Sequence, residues 1–83
     1  MEYYLVVFKA KSETIRFSSL LTSYRVPNVI VSTPRQISVS CGTSVKIRTS
    51  ALEIAKTILS ARQFYTYSGI YLDNMSYSKY KSV

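Results

Sequence analysis

The sequence lacks several residue types on which protein sites are commonly built. It contains no histidine, no tryptophan and a single cysteine, Cys41. Without histidine the chain can form neither the usual Cys/His zinc site nor a Cys-His or Ser-His catalytic pair, and one cysteine cannot form an internal disulfide. The composition therefore excludes these classes of enzyme and metal protein, and we expect no metal site and no bound cofactor.

Long apolar runs and acidic residues are also scarce. The longest apolar run, residues 3–8, is far shorter than the roughly 20 residues of a membrane span, so we expect a cytoplasmic protein with no membrane partner. Eleven basic residues against four acidic ones leave a net charge of +7, which would attract nucleic acid, acidic proteins or anionic small molecules. The basic residues stand singly or in loose pairs, so the charge by itself selects none of these partners.

The apolar patterns predict one domain over residues 1–72, with the element order βαββαβ. This order is typical of an α+β, ferredoxin-like sandwich, in which a four-stranded antiparallel sheet carries both helices on one face. Residues 73–83 have no apolar periodicity and are predicted to form a flexible tail. A domain this small buries only about 60% of its unfolded surface, so its stability should be marginal. We therefore consider a second copy of the chain as one candidate partner. The predicted strands are 2–8, 28–33, 43–49 and 64–72, and the predicted helices are 11–26, with Ser12 as N-cap, and 50–63, with a Ser50/Glu53 capping box.

The stretch "STPRQISVSCG" gathers the only cysteine, one of the two glycines and one of the two prolines between predicted strands two and three. A connection of about nine residues is longer than the usual hairpin loop, and such loops often carry function. Arg35 brings a permanent cation, Ser38 and Ser40 bring hydroxyl donors, and Gly42 permits backbone angles closed to other residues. Together they would stabilise the Cys41 thiolate and lower the thiol pKa from its ordinary value of about 8.5.

A purely structural interpretation of the same residues stays open. In an extended or a helical loop, Cys41 would share a face with Ile37 and would then be a small, buried and inert core residue. Arg35 would be a solvated cation or part of a salt bridge at the sheet edge. Ser38 and Ser40 would be turn residues that bond to their own backbone.

The motif "TPRQISVSCG", in a chain that opens "YYLVVFK" and ends its last predicted strand with "YSGIYL", resembles a family of small bacterial domains described as "Putative Se/S carrier protein-like". The resemblance implies that Cys41 is the carrier thiol and holds sulfur or selenium as a persulfide or selenopersulfide. It implies Arg35 as the charge stabiliser and Ser38, Ser40 and Gly42 as residues that shape the loop. It further implies a carrier without turnover of its own, whose partners are a desulfurase or selenium-delivering enzyme and an acceptor protein.

Two other classes of function are compatible with the sequence. The first is a small basic binding module with a buried, structural cysteine, whose ligand is a nucleic acid or a protein. The third predicted strand, "TSVKIRT", lacks the aromatic residues of RNA-recognition sheets, which disfavours nucleic acid. The second is a dimerisation module with Cys41 in its core. For the carrier interpretation, Arg35, Lys46 and Arg48 are the residues expected to meet an acidic patch on a partner.

Overall fold

The computed structural model describes residues 2–34, 42–74 and 80–82. Within them the sheet has the strand order β2-β3-β1-β4-β5, and every neighbouring pair is antiparallel. The elements are β1 (Glu2–Phe8), α1 (Lys11–Ser23), β2 (Asn28–Ser32), β3 (Thr43–Arg48), a 3₁₀ turn (Thr49–Ala51), α2 (Leu52–Ala61), β4 (Tyr67–Asn74) and β5 (Tyr80–Ser82). The predicted α+β ferredoxin-like arrangement of four antiparallel strands and two helices is confirmed.

The sheet has one strand more than the four that we predicted. The short strand β5 pairs with β4, with Tyr71 opposite Ser82 and Asp73 opposite Tyr80. Asp73 and Asn74, which we assigned to the tail, extend β4. Part of the segment 73–83 therefore forms regular structure. Its backbone pairs with β4, and the local sequence does not reveal this pairing. The prediction of flexibility for residues 75–79 and 83 falls outside the described residues.

The core lies between the helices and one face of the sheet. Alternate residues of the strands, including Val6, Phe8 and Val45, are fully buried against apolar side chains of α1 and α2. Three phenylalanine rings pack together at one end of this core. The centroid of Phe8 lies 5.3 Å from those of Phe17 and Phe64, and the latter two are 5.6 Å apart. Aromatic packing of this kind supplies a large part of the burial available to a small domain.

The nearly continuous apolar character of β1 reflects burial on both of its faces. Leu5 and Val7 point to the face away from the helices, yet they expose only 2% and 3% of their surface. Leu5 is flanked in register by Lys46 of β3 and Tyr71 of β4, whose long side chains stand beside it. The central position predicted for this strand is confirmed, since β1 pairs with β3 on one side and β4 on the other.

The two helices begin elsewhere than the capping signals predict. The N-cap of α1 is Ala10, not Ser12, and the N-cap of α2 is Ala51, with no side-chain capping hydrogen bond in either case. Residues 49–51 form the 3₁₀ turn, which moves Ser50 out of the capping position and leaves the predicted Ser50/Glu53 box unformed. At 13 and 10 residues, the helices of the described chain are too short and not apolar enough to cross a membrane.

Candidate functional site

Three connections meet at one end of the sheet, which we call the loop end. It comprises the β1–α1 connection at Lys9 and Ala10, the residues Thr33, Pro34 and Gly42 on either side of the Cys41 segment, and the α2–β4 connection at residues 62–66. The backbone N–H of Thr33 donates to the carbonyl of Gly42 over 3.1 Å and continues the β2–β3 ladder by one pair. The backbone N–H of Lys9 donates to the carbonyl of Thr66 over 3.0 Å. The residues on either side of the cysteine-containing segment are therefore joined by a backbone hydrogen bond.

Gly42, which follows the cysteine-containing segment, lies in a closely packed position. Glycine permits backbone angles closed to other residues; of the two described glycines, Gly69 has a positive φ, of 132°. A Cβ added to Gly42 would lie 3.3 Å from Oγ1 of Thr33 and 3.4 Å from the carbonyl oxygen of Phe8. Contacts of this length leave little room for a methyl group. The absent side chain lets the end of the segment lie directly against β1.

Gly42→Ala is expected to lower the free energy of unfolding by about 1 kcal/mol, the lower end of the cost of overpacking a tight site. The carbonyl of Phe8 yields little because Phe8 is paired on both sides, with Thr43 and with Tyr67. Urea unfolding followed by circular dichroism measures the loss. In a double-mutant cycle, Gly42→Ala with Thr33→Ala should lose less than the sum of the single losses, since one of the two close atoms is gone. If the two losses of unfolding free energy are additive, the contact with Thr33 is not the cause of the lower stability of Gly42→Ala.

Four hydroxyl side chains tie α1, β2 and β3 together at the loop end. Thr14 is fully buried; its Oγ1 lies 3.3 Å from the Ala10 carbonyl and 2.5 Å from Oγ1 of Thr43. Either threonine hydroxyl can donate the proton of the bond between them. Oγ1 of Thr33 lies 2.7 Å from Oγ of the fully buried Ser44. The first pair holds the start of β3 against the first turn of α1, and the second holds Thr33, which follows β2, against β3.

These hydroxyl pairs were not predicted from the sequence. The one signal in the chain is the position of Thr14, three residues before Phe17 and seven before Leu21, which places a polar residue on the apolar face of α1. A threonine at such a position has to find a hydrogen-bond partner inside the protein. The identity of that partner depends on the strand order.

Glu13 binds the α2–β4 connection to the start of α1. Its Oε2 accepts the backbone N–H of Tyr65 over 2.8 Å, and its Oε1 accepts both the backbone N–H and the hydroxyl of Thr66 over 2.7 Å. The Thr66 hydroxyl is the main cause that holds the pKa of this carboxyl below its usual 4.5. Desolvation is the next cause and raises the pKa, while the two backbone N–H groups and the charge of Arg16 lower it. One carboxylate thus orders the connection that precedes β4.

The stabilising contribution of Glu13 should be lost in acid. Since the folded state lowers its pKa, the contribution is complete above the unfolded value of about 4.5 and disappears as the pH falls through the folded value. Glu13→Gln should therefore be less stable than the wild type at pH 7, and the difference should shrink between about pH 5 and pH 3. Urea midpoints measured across this range provide the test, with Glu53→Gln as the control for net charge. A difference that stays constant with pH would contradict the assignment.

The remaining charges at the loop end are positive. Lys9 and Lys11 are exposed, and α1 directs its N-terminus, the positive end of its dipole, to the same place. The guanidinium of Arg16 donates a hydrogen bond to the carbonyl of Gln63 and lies 4.3 Å from the ring centroid of Phe64. A field of this sign stabilises an anionic group placed within it.

Of the five predicted site residues, the structure describes Gly42 alone. Arg35, Ser38, Ser40 and Cys41 lie outside the described residues, and their roles stay predictions.

Two further residues, Lys46 and Arg48, were expected to flank the loop as docking cations. Lys46 lies in the middle of β3 on the sheet face away from the helices, with its Nζ 4.4 Å from the ring centroid of Tyr3. Arg48 is exposed at the last position of β3, five residues from Thr43 at the loop end, or about 16 Å along a strand. The fold therefore brings Lys9 and Lys11 to the loop end, and Arg48 to the opposite end of the sheet.

Comparison with known protein families matches residues 3–72 to the family described as "Putative Se/S carrier protein-like". The match spans β1 to β4 and includes the whole segment between β2 and β3. Searches of curated proteins and of solved structures found no match.

Proposed function

Because the chain belongs to the Se/S carrier protein-like family, we propose that it carries sulfur or selenium as a persulfide or selenopersulfide on the thiol of Cys41. The observation that carries this proposal is that the family match includes the only cysteine of the chain. Attachment of a sulfur or selenium atom requires a soft nucleophile. Among protein side chains, the cysteine thiolate is such a nucleophile.

Loading of the carrier is a thiol exchange at a terminal chalcogen atom. The Cys41 thiolate attacks the terminal sulfur of a donor persulfide; the new bond joins Sγ to that sulfur, the S–S bond of the donor breaks, and the donor leaves as a thiolate. The proton of the donor persulfide stays on the transferred sulfur. A donor selenopersulfide delivers selenium in the same way. In unloading, a nucleophile of the acceptor attacks the terminal atom and Cys41 leaves as a thiolate, so that neither step needs an external oxidant or reductant.

The charges at the loop end support this chemistry. Lys9, Lys11 and the N-terminus of α1 stand where the described chain enters and leaves the cysteine-containing segment. Positive charge favours the thiolate over the thiol, and it also favours a persulfide anion. We include Arg35 as a further stabilising cation, and Ser38, Ser40 and Gly42 as residues that shape the loop.

The single cysteine is suited to a carrier rather than to an enzyme with turnover of its own. With no second thiol in the chain, a loaded Cys41 cannot expel its cargo by forming an internal disulfide. The cargo has to leave by attack of another molecule. We therefore propose a desulfurase or selenium-delivering enzyme as donor and a separate acceptor protein, with no bound cofactor.

Intact-mass spectrometry tests the proposal. The purified protein is incubated with a cysteine desulfurase and cysteine, or with a selenopersulfide donor, and its mass is then measured with and without a thiol reductant. We expect a gain of one sulfur or one selenium mass that reduction removes. If no adduct forms and iodoacetamide alkylates Cys41 only after denaturation, the cysteine is a core residue and the carrier proposal is wrong.

A further inference from the structure

Among the residues that the structure describes, β2 forms one edge of the sheet along its whole length. It is unusually apolar for an edge strand. Val29 and Ile30 expose 59% and 39% of their surface. No charged residue occurs from Val26 to Pro34, although the chain as a whole carries a net charge of +7. Edge strands of monomeric proteins are commonly protected by charges, bulges or covering segments, because their free backbone groups can pair with another strand.

The hydrogen-bond pattern shows which backbone groups of β2 face outward. The backbone N–H of Thr33 donates to Gly42, its partner in the continued β2–β3 register. In an antiparallel ladder, hydrogen-bonded and non-hydrogen-bonded residue pairs alternate. The N–H and C=O groups of Val29 and Val31 therefore also point to β3. The corresponding groups of Asn28, Ile30 and Ser32 point away from the sheet. The outer edge therefore offers three evenly spaced donor–acceptor pairs.

We propose that β2 pairs with β2 of a second copy of this chain, antiparallel and about a two-fold axis at Ile30. In this register Ile30 exchanges both backbone hydrogen bonds with Ile30 of the partner subunit, and Asn28 does so with Ser32 of the partner subunit. Val29 stands opposite Val31 of the partner subunit in a pair without hydrogen bonds, where side chains approach most closely. The two five-stranded sheets join into one continuous sheet.

Charge and symmetry favour a second copy over another occupant. Two chains that each carry +7 repel one another least where neither has a charged side chain, and β2 is such a surface. A two-fold pairing also sets valine against valine and isoleucine against isoleucine, so the edge is complementary to itself. Five residues per copy bury little area compared with the roughly 1,200–2,000 Å² of a stable interface, so the dimer should be weak and dependent on concentration.

Sedimentation velocity over a wide concentration range tests the proposal. The measurements use Cys41→Ser in reducing buffer, which excludes a dimer linked through the only thiol. The mass should rise from 9.5 kDa toward twice that value as concentration increases. Adding Ile30→Lys should abolish the rise, because it places two like charges together on the axis. The matched control is Ile15→Lys in α1, which also replaces an exposed isoleucine, of 48% exposure, by lysine and should dimerise as before.

Amide hydrogen exchange distinguishes this register from any other association. In the monomer the amide of Ile30 should exchange rapidly, while those of Val29 and Val31 are protected by β3. When nine-tenths of the chains are dimeric, exchange at Ile30 should slow about tenfold, with Val29 and Val31 unchanged. A chain that stays at 9.5 kDa at every concentration, or a dimer that survives both Ile30→Lys and Val29→Lys, would overturn the proposal.

Discussion

Cys41→Ser is expected to abolish loading with sulfur or selenium completely. A serine hydroxyl is not ionised at neutral pH and forms no persulfide, so the variant should gain no mass from a desulfurase with cysteine or from a selenopersulfide donor. The exchange of sulfur for oxygen is nearly isosteric, and the urea midpoint should change little. The expected result is a wild-type fold with no adduct, measured by intact mass and circular dichroism on the same samples.

A relocated thiol provides the control for nonspecific chemistry. The double variant Cys41→Ser/Ser19→Cys keeps one cysteine in the chain but moves it to an exposed position of α1. If the loop end activates the thiol and directs the donor, this variant should load far more slowly than the wild type. If the enzyme donor loads the relocated thiol as fast as it loads Cys41, any exposed thiol suffices, and the site proposed between β2 and β3 is wrong.

Phe8→Ala is expected to cost about 3–5 kcal/mol in the free energy of unfolding, the usual range for truncation of a buried phenylalanine. Phe8 exposes none of its surface and lies within 6.0 Å, centroid to centroid, of Phe17, Phe64 and Tyr67. A small domain has only about 5 kcal/mol or little more in total, so the variant should be largely unfolded near physiological temperature. Thermal and urea unfolding followed by circular dichroism measure the effect.

Tyr65→Ala is the matched control for loss of an aromatic ring. Tyr65 lies in the α2–β4 connection with 81% of its surface exposed, and its bond to Glu13 is made by the backbone N–H, which alanine retains. Its loss should change stability by less than about 0.5 kcal/mol. A loss below about 1 kcal/mol for Phe8→Ala would show that the three-phenylalanine cluster contributes little to the core.

The element order and the fold class follow from local patterns in the sequence. The apolar run of β1 predicts a central strand, and the offsets of Phe17 and Leu21 predict an amphipathic α1 that ends before Pro27. These patterns are sufficient because burial of alternate residues in a strand, or of one face of a helix, is governed by neighbours a few positions apart. The order βαββαβ then leaves few ways to form one antiparallel sheet.

The resemblance to the Se/S carrier protein-like family was likewise visible in the sequence, and the family match over residues 3–72 confirms it. Family membership over residues 3–72 and the presence of one thiol are properties of the linear chain. The close packing around Gly42 was not visible in the sequence. Here the nearby atoms belong to Phe8 and Thr33, which are distant in sequence.

The sequence by itself determined the four main strands, the two helices and the single cysteine-containing connection. Tertiary structure decided the strand β5, the start of β4 at Tyr67 and the hydrogen bonds of the loop end. Glu13 and Thr66 are 53 residues apart, and Thr14 and Thr43 are 29 apart. No local propensity encodes such pairs, because they form only after the strand order has brought the three connections to one end of the sheet.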